Sequence, residues 1–561
     1  MANNDKVEFD SIIDGKTVAN QQQHEHHHMD KRDSNSVLVA TSIPILQLNV
    51  AGEWGPWQRR FFIFFMITAM CSSWHSLQLT FIGPKVKYEC IDPFNHSSSN
   101  GSMISPITTS ISTTTPSSSS SSSSDQCMID GIACTKWSYD VGHNDSFYHR
   151  TIVSEWDLVC NQSWLVSFTQ SMYMIGTLMA VFGMAHCSDH FGRRPTILIG
   201  WFFQLAGCLS CAFSTSIIQF LISRLILAFG MGTTWSTGFV LLIEMVGPEK
   251  REFAGLAVQL GWAFGYVTLP GVAYLARDFR ILLICCAALQ LLQLPLYWMV
   301  TESPRWLLTK RNINDSTKLL KRIGKMNKCH LSSSEIETMV VQANEHEIKH
   351  SQLMNSHAKT KRYTIFDLFR TCTMAQTTLM IYFLWFCNSL IYYGLSLNTN
   401  DWNGDPFINF LLLGLVEFPA YIGCMYLVPL FGHRRALMVT LMGAGIGCLL
   451  SILTTYNTHI GIFFASMGKF CVTCSFAIIY VYSAQIYPTV TRTIGVGSSS
   501  TVARIGSILA PFIKDLSQAT TLAVPMVMLG ILSIVAASFV LFIHEPRGTE
   551  IPDRPEDLEK K

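Results

Sequence analysis

Four ionisable side chains stand inside long apolar runs: Arg224, Glu417, Lys469 and Arg504. A charged group at the centre of a bilayer costs about 2.5–3.5 kcal/mol on insertion scales, so each marks a candidate site. Arg504 lies halfway along its run, in Ser500-Thr-Val-Ala-Arg504-Ile-Gly-Ser507, too deep to snorkel to an interface. Small residues around it, with Ser500 one turn away, leave room for a ligand. Its planar guanidinium matches a carboxylate or sulfate bidentately. Glu417 sits mid-run, placed to balance a buried cation. Lys469 sits nearer the outer end of its run, where a long side chain snorkels. Arg224 opens Arg224-Leu-Ile-Leu-Ala-Phe-Gly230-Met-Gly232 and is expected to be structural. Two roles for Arg504 stay open: contact with a ligand, or neutralisation by Glu417.

Aromatic residues supply walls for such a site. Phe476 and Tyr480 are four residues apart and share one helix face. Tyr392 and Tyr393, Trp74 and His75, and Trp262 and Tyr266 are further lining candidates. Aromatic faces accept flat organic ions and, by cation–π contact, ammonium groups.

The elements that position these residues are membrane spans. Only 14% of residues are charged, against about 25% in soluble proteins. Residues 61–84, 158–188, 195–223, 253–276, 371–400, 436–468 and 516–544 contain no Asp, Glu, Lys or Arg. About 20 apolar residues cross a bilayer as a helix. A soluble helical protein is excluded, because its helices would carry a polar face at a 3.6-residue period. The net charge of +2 gives no footprint for nucleic acid. No metal-ligand spacing, nucleophile motif or phosphate loop stands out, so the chain reads as neither an enzyme nor a cofactor protein.

A charged turn, Ser188-Asp189-His190-Phe191-Gly192-Arg193-Arg194-Pro195, sits between two spans, and a reduced copy, Phe431-Gly432-His433-Arg434-Arg435, follows about 240 residues later. At nearly the same offset Glu244 answers to Gln485, Pro248 to Pro488 and Arg251 to Arg492, and Glu302-Ser-Pro-Arg305 answers to Glu545-Pro-Arg547. Four echoes in order imply two homologous halves in parallel orientation. The expectation is an all-α membrane protein of twelve transmembrane helices in two pseudo-symmetric six-helix bundles. The helices fall near 61–83, 164–186, 195–214, 216–245, 253–276, 280–301, 373–397, 407–430, 436–455, 459–483, 493–514 and 520–543. The organisation follows: tail 1–58, first half 59–302 with a loop at 85–160, central loop 303–372, second half 373–545, tail 546–561. Within the central region, Asp315 or Ser316 is expected to cap a short amphipathic helix through Lys318, Leu319, Leu320 and Ile323.

The loop 85–160 holds Cys90, Cys127, Cys134 and Cys160, an even number that allows three pairings. Beside them lie glycosylation sequons at Asn95, Asn100, Asn144 and Asn161. Disulfides and glycans together belong to the oxidising exterior. Residues 97–124 are nearly all Ser and Thr and read as a flexible insert. No apolar stretch follows Met1, so the first span acts as the targeting signal rather than a cleaved peptide. His24, His26, His27 and His28 read as a low-complexity tail.

Basic residues orient the chain. The short even loops carry Arg193, Arg194, Lys250, Arg251, Arg434, Arg435 and Arg492, and the short odd loops only Arg277, Arg280 and Lys514. The central loop adds thirteen Lys or Arg. Both termini are therefore expected in the cytoplasm and the cysteine loop outside. The sequon at Asn314 then faces the cytoplasm and stays unused. Asp189, Arg193 and Arg194 with Glu244 and Arg251 have the charges and placement of a cytoplasmic latch.

These residues resemble the major facilitator superfamily and, within it, the organic cation, anion and zwitterion (carnitine-type) transporters. The likeness spans about 59–550. It is carried by Thr151-Ile-Val-Ser-Glu155-Trp156-Asp-Leu-Val-Cys160, Glu302-Ser-Pro-Arg-Trp-Leu307, Tyr392-Tyr-Gly394, Val416-Glu-Phe-Pro-Ala420 and Tyr487-Pro488 with Arg492. The large cysteine loop after the first helix separates this branch from sugar transporters. The chain departs from the family pattern at Ala185, His190 and Gln485, and it has no second-half acid matching Asp189. The resemblance implies that Tyr392, Tyr393, Phe476 and Tyr480 are pocket positions. It also implies that position 504 is acidic in cation carriers and Arg in anion and zwitterion carriers. The expected function is alternating-access transport of small organic ions across the plasma membrane, favouring anions or carnitine-like zwitterions. The expected partners are that substrate, the lipid bilayer and a co-transported or exchanged ion, around a monomeric transport unit. The rivals are an organic-cation carrier with Arg504 structural, and a sensor that kept the fold without transport.

Overall fold

The computed structural model describes residues 50–91, 127–129, 132–134, 136–141, 147–356, 364–398, 404–455, 457–488, 491–521 and 523–545. The histidine cluster at 24–28, the Ser-rich insert, Asn95, Asn100, Asn144 and the tail from 546 lie outside these residues. The chain divides into two compact units: Arg60–Ile243, Arg251–Thr301 and Arg362–Lys561 in the larger, and Met1–Arg59, Glu244–Lys250 and Glu302–Lys361 in the smaller.

The larger unit is the membrane bundle. Its first six helices are α1 (Pro56–Leu77, continued by Leu79–Ile82), α2 (Trp164–Phe191), α3 (Arg193–Ala212), α4 (Ile217–Met245), α5 (Arg251–Ala276) and α6 (Phe279–Tyr297). The second six are α7 (Cys372–Leu397), α8 (Pro406–Leu415 with Glu417–Phe431), α9 (His433–Leu450), α10 (Thr458–Ile486), α11 (Arg492–Leu509) and α12 (Ala523–Val540). Eleven spans among the described residues are long and apolar enough to cross a membrane. The one that falls short is α11, whose Ser and Thr residues and Arg504 lower its hydropathy. The expected ranges agree with these helices to about five residues at either end; α1 starts early and takes in Arg59 and Arg60. Two interruptions have local causes. Pro419 has no N–H for the Leu415 carbonyl, and α8 breaks at Val416. Pro511 does the same after α11, and a short helix, Phe512–Ala519, resumes the path.

The repeat is visible in the turns. Gly192 and Gly432 hold the same place between α2 and α3 and between α8 and α9, with φ of 107° and 79°. Only glycine takes such angles without strain. α3 and α4 meet backbone to backbone: a Cβ at Gly230 would stand 2.2 Å from the Gln204 nitrogen, and one at Gly207 would stand 2.4 Å from the Leu227 nitrogen. Small residues at such contacts replace the hydrophobic drive that lipid cannot supply.

Between α1 and α2 two small antiparallel pairs form, β1 (Tyr88–Cys90) with β4 (Trp137–Tyr139), and β2 (Met128–Ile129) with β3 (Ile132–Ala133). Of the three possible pairings, the disulfides are Cys90–Cys134 and Cys127–Cys160. Asn161, just beyond, is exposed. The segment entering α2 is tied down by Glu155, which accepts from Arg150 (2.5 Å) and Arg280 (2.9 Å). Partial burial pushes its carboxyl pKa up, but the two guanidinium groups outweigh this and hold it below the ordinary value.

The smaller unit contains the helices Pro304–Thr309, Ile313–Met326 and Ser333–Ser356. Leu320 and Ile323 pack with Ile336, Val340 and Val50. The expected amphipathic helix exists, but its cap is Asn312, whose side chain accepts from the Asp315 nitrogen (3.2 Å). Asp315 and Ser316 lie inside the first turn instead. The 24-residue helix Ser333–Ser356 was not legible, because its apolar residues form no continuous stripe.

Gly230→Val should force α3 and α4 apart. Overpacking of this kind costs about 1–3 kcal/mol. A heat-challenged, detergent-solubilised sample should lose its monodisperse fraction at a lower temperature than the wild type. An unchanged profile would show that the helices separate without penalty.

Candidate substrate site

The centre of the bundle is organised by one ion pair. Glu417 follows the break in α8, and Lys469 lies eleven residues beyond the start of α10, about 16 Å along the axis. Lys469 Nζ is 3.0 Å from Glu417 Oε1, and both side chains are fully buried. The Lys469 ammonium also donates to Ser396 Oγ (2.7 Å) and stands 3.2 Å from the Tyr392 ring centroid and 5.2 Å from that of Tyr266. Tyr392 donates to Glu417 Oε1 (2.6 Å) and accepts from Trp262 Nε1 (2.8 Å). The chain Trp262–Tyr392–Glu417–Lys469 thus joins α5 of the first half to α7, α8 and α10 of the second.

This arrangement corrects one expectation and closes one alternative. Lys469 does not snorkel: its side chain is fully buried and its ammonium is held by a carboxylate. Glu417 balances a buried cation, but that cation is Lys469 and not Arg504. Ser396, which holds the ammonium, was missed, and nothing in its sequence surroundings marks it.

Arg504 is only partly buried and makes no ion pair or side-chain hydrogen bond among the described residues. Its Nε is buried without a hydrogen-bond partner. The guanidinium lies within electrostatic reach of Tyr173 on α2 and Tyr393 on α7. Ser500, one turn earlier on α11, is partly exposed and shares its face. Tyr392, Tyr393, Phe476 and Tyr480 form one aromatic group: Tyr392–Tyr393 at 5.2 Å, Tyr392–Phe476 at 5.6 Å and Phe476–Tyr480 at 6.0 Å between ring centroids. Trp385, which the sequence did not single out, stands edge-on to Tyr480 at 4.4 Å.

Arg224 and His75 belong to a different environment, inside the first half. Arg224 is fully buried and donates to Gln170 Oε1 (2.6 Å) and the His75 carbonyl (3.4 Å), with its guanidinium 4.6 Å from the Tyr173 ring centroid. The His75 ring meets Gln290, and its Nδ1 is buried without a partner. His75 therefore turns to Gln290 on α6, and Arg224 bonds to α1 and α2, both within the first half. Of the latch residues, Asp189 and Arg193 form an ion pair at 3.0 Å, and the Arg194 guanidinium stacks on Tyr297. Arg251 begins α5, and Glu244 belongs to the smaller unit. In the second half Glu545 accepts from the Arg434 backbone nitrogen at 3.2 Å.

The two halves meet at the end carrying the disulfide loop. Ser167 donates to Asp515 (2.8 Å), Ser171 to the Ile508 carbonyl (2.7 Å) and Lys514 to the Gly83 carbonyl (3.1 Å). Phe81 stacks on Phe407 and Tyr266 on Phe410. That end is closed over the site.

Residues 98–551 match the family model described as sugar (and other) transporter. The chain is 32% identical over 522 residues to the organic cation transporter protein of Drosophila melanogaster, covering 91% of this chain and 93% of that one. It is 30% identical over 524 residues to the organic cation/carnitine transporter 2 of Mus musculus, covering 90% and 91%. Among solved structures, the inward open conformation of the xylose transporter XylE from E. coli superposes with a TM-score of 0.59 at 14% identity, covering 90% of this chain and 98% of that one. At that identity the likeness establishes the fold.

Removing one partner of a buried ion pair costs about 3–5 kcal/mol, whereas replacing both by apolar or neutral groups of similar size is far less damaging. Glu417→Gln should therefore melt well below the wild type, and Glu417→Gln with Lys469→Met should recover most of the loss. A double variant as unstable as the single one would show that the pair is not the source of the stability.

Proposed function

We propose that this protein, which belongs to the organic cation, anion and zwitterion (carnitine-type) transporters of the major facilitator superfamily, carries small organic ions bearing a carboxylate or sulfate. It is a multi-pass membrane transporter. The observation that carries the substrate reading is the charge inventory of the centre. Glu417 is paired with Lys469, and Arg504 has no ion pair among the described residues. An uncompensated guanidinium in a low-dielectric site favours an anion. The Tyr393 ring is within electrostatic reach of it, and the aromatic group that also holds Phe476 and Tyr480 supplies flat walls for an organic body.

The transport cycle is alternating access at the plasma membrane, with both termini cytoplasmic and the disulfide loop outside. The basic residues of the even loops support that orientation. The contacts of Ser167, Ser171 and Lys514 then close the extracellular side, and the Asp189–Arg193 pair works at the cytoplasmic side. A second reading has support in the name of the Drosophila relative, an organic cation transporter. In that reading Arg504 is structural and the aromatic group and Glu417 bind the substrate.

The test is uptake of a radiolabelled dicarboxylate, carnitine and a quaternary ammonium by cells displaying equal surface amounts of wild type or Arg504→Ala. A bidentate charge-assisted contact contributes about 1.5–3 kcal/mol, so the variant should lose about ten- to a hundredfold in apparent affinity for the carboxylate probe. Uptake of the quaternary ammonium alone, equal in both proteins, would replace the anion reading with the cation reading.

A further inference from the structure

The smaller unit holds a cavity of about 420 Å³, walled by Val50, Ala51, Asn327, Cys329, Leu331 and Met339 among others. Val50 and Ala51 are the first of the described residues, and both are already buried. Asn327 fastens the segment that follows them. Its Nδ2 donates to the Ala51 carbonyl (2.6 Å) and to Gln58 Oε1 (3.0 Å), and its Oδ1 accepts from the Trp57 nitrogen (2.9 Å). The last bond satisfies one of the open N–H groups in the first turn of α1. The chain therefore reaches α1 through a turn that is built against this cavity.

The sequence just before Val50 is suited to fill it. Residues 1–33 carry many charges, whereas residues 34–52 contain no Asp, Glu, Lys or Arg. Ile43-Pro44-Ile45-Leu46-Gln47-Leu48 is the apolar stretch nearest to Val50. A fully extended chain spans at most about 3.6 Å per residue, which keeps Leu48 within about 7 Å of Val50 and Leu46 within about 14 Å. So short a tether gives an effective concentration in the millimolar range. Apolar side chains held beside a largely apolar cavity leave water by entering it.

We propose that the cavity of the smaller unit is the docking site of the chain's own segment Ile43–Leu48, with Leu46 and Leu48 as its apolar anchors. The docked segment ties the N-terminal tail to the Asn327 turn that holds the start of α1. This goes beyond the transport reading and does not depend on which ion is carried.

The test uses the full-length chain. p-Benzoylphenylalanine is placed at position 46 in one sample and at position 47 in another, and each is irradiated in membranes. Peptide mapping should find the crosslink within the same chain, on residues 327–340. A crosslink to a second copy, to lipid alone or to no partner overturns the proposal. A second arm follows alkylation of Cys329, which lies outside the disulfides, by a maleimide in detergent. Leu46→Glu with Leu48→Glu should expose the cavity wall and raise the labelling rate about tenfold. Deletion of residues 2–33 should leave the rate unchanged. A synthetic peptide of residues 37–49, added to the double variant, should slow its labelling again. A folded double variant that labels at the wild-type rate, or a peptide without effect on its labelling, overturns the proposal. Should the double variant not fold, the crosslink on the otherwise unaltered chain decides.

Discussion

The ion pair of Glu417 and Lys469 is the constraint on which the centre of this protein depends. Neither side chain touches solvent, and desolvating two charges costs several kcal/mol for each ion unless geometry and hydrogen bonds offset it. Here the offset is distributed. Ser396 and the Tyr392 face satisfy the ammonium, and the Tyr392 hydroxyl satisfies one carboxylate oxygen. The same hydroxyl accepts from Trp262. Four helices from both halves are therefore held in register by contacts that become costly as soon as one member leaves. The break in α8 beside Glu417 belongs to the same design, since discontinuous helices near the midplane are where transporters place their binding groups.

The bundle handles its other buried cations differently. Arg224 meets no carboxylate among the described residues; a side-chain amide, a backbone carbonyl and an aromatic face surround it. Such dipoles tolerate the charge without cancelling it. Arg504 stands on the least apolar of the twelve helices, with its Nε unpartnered. Lys469 is neutralised where it stands, which leaves Arg504 as the cation of the candidate site without an ion pair among the described residues.

The closed end is a sandwich of aromatic rings and short polar contacts. Phe407 lies within ring-contact distance of Phe81, Tyr148 and Tyr274. Tyr148 enters from the segment that Glu155 and Cys160 anchor before α2. The disulfide-bonded loop is therefore linked through a few residues to the packing that shuts the site. Small ring contacts and hydroxyl-to-carbonyl bonds are each weak.

Much of this was written in the sequence. Membrane spans are legible because a bilayer demands about 20 apolar residues and tolerates few charges. The two halves are legible because Gly192 and Gly432 and their arginines keep a common offset. Arg504 stood out because a charge so deep has few explanations. What the sequence by itself left open were matters of pairing between residues far apart in the chain. Four cysteines allow three connectivities, and only the tertiary structure chose Cys90–Cys134 and Cys127–Cys160. Depth along a run placed Lys469 near an interface, while packing brought it to Glu417, 52 positions away in the chain. The same holds for Glu545, which reaches the Arg434 turn across 111 positions, and for His75, which faces Gln290 instead of the site. Hydropathy records what each segment prefers as solvent. Which charge neutralises which is decided only when helices remote in sequence are packed side by side.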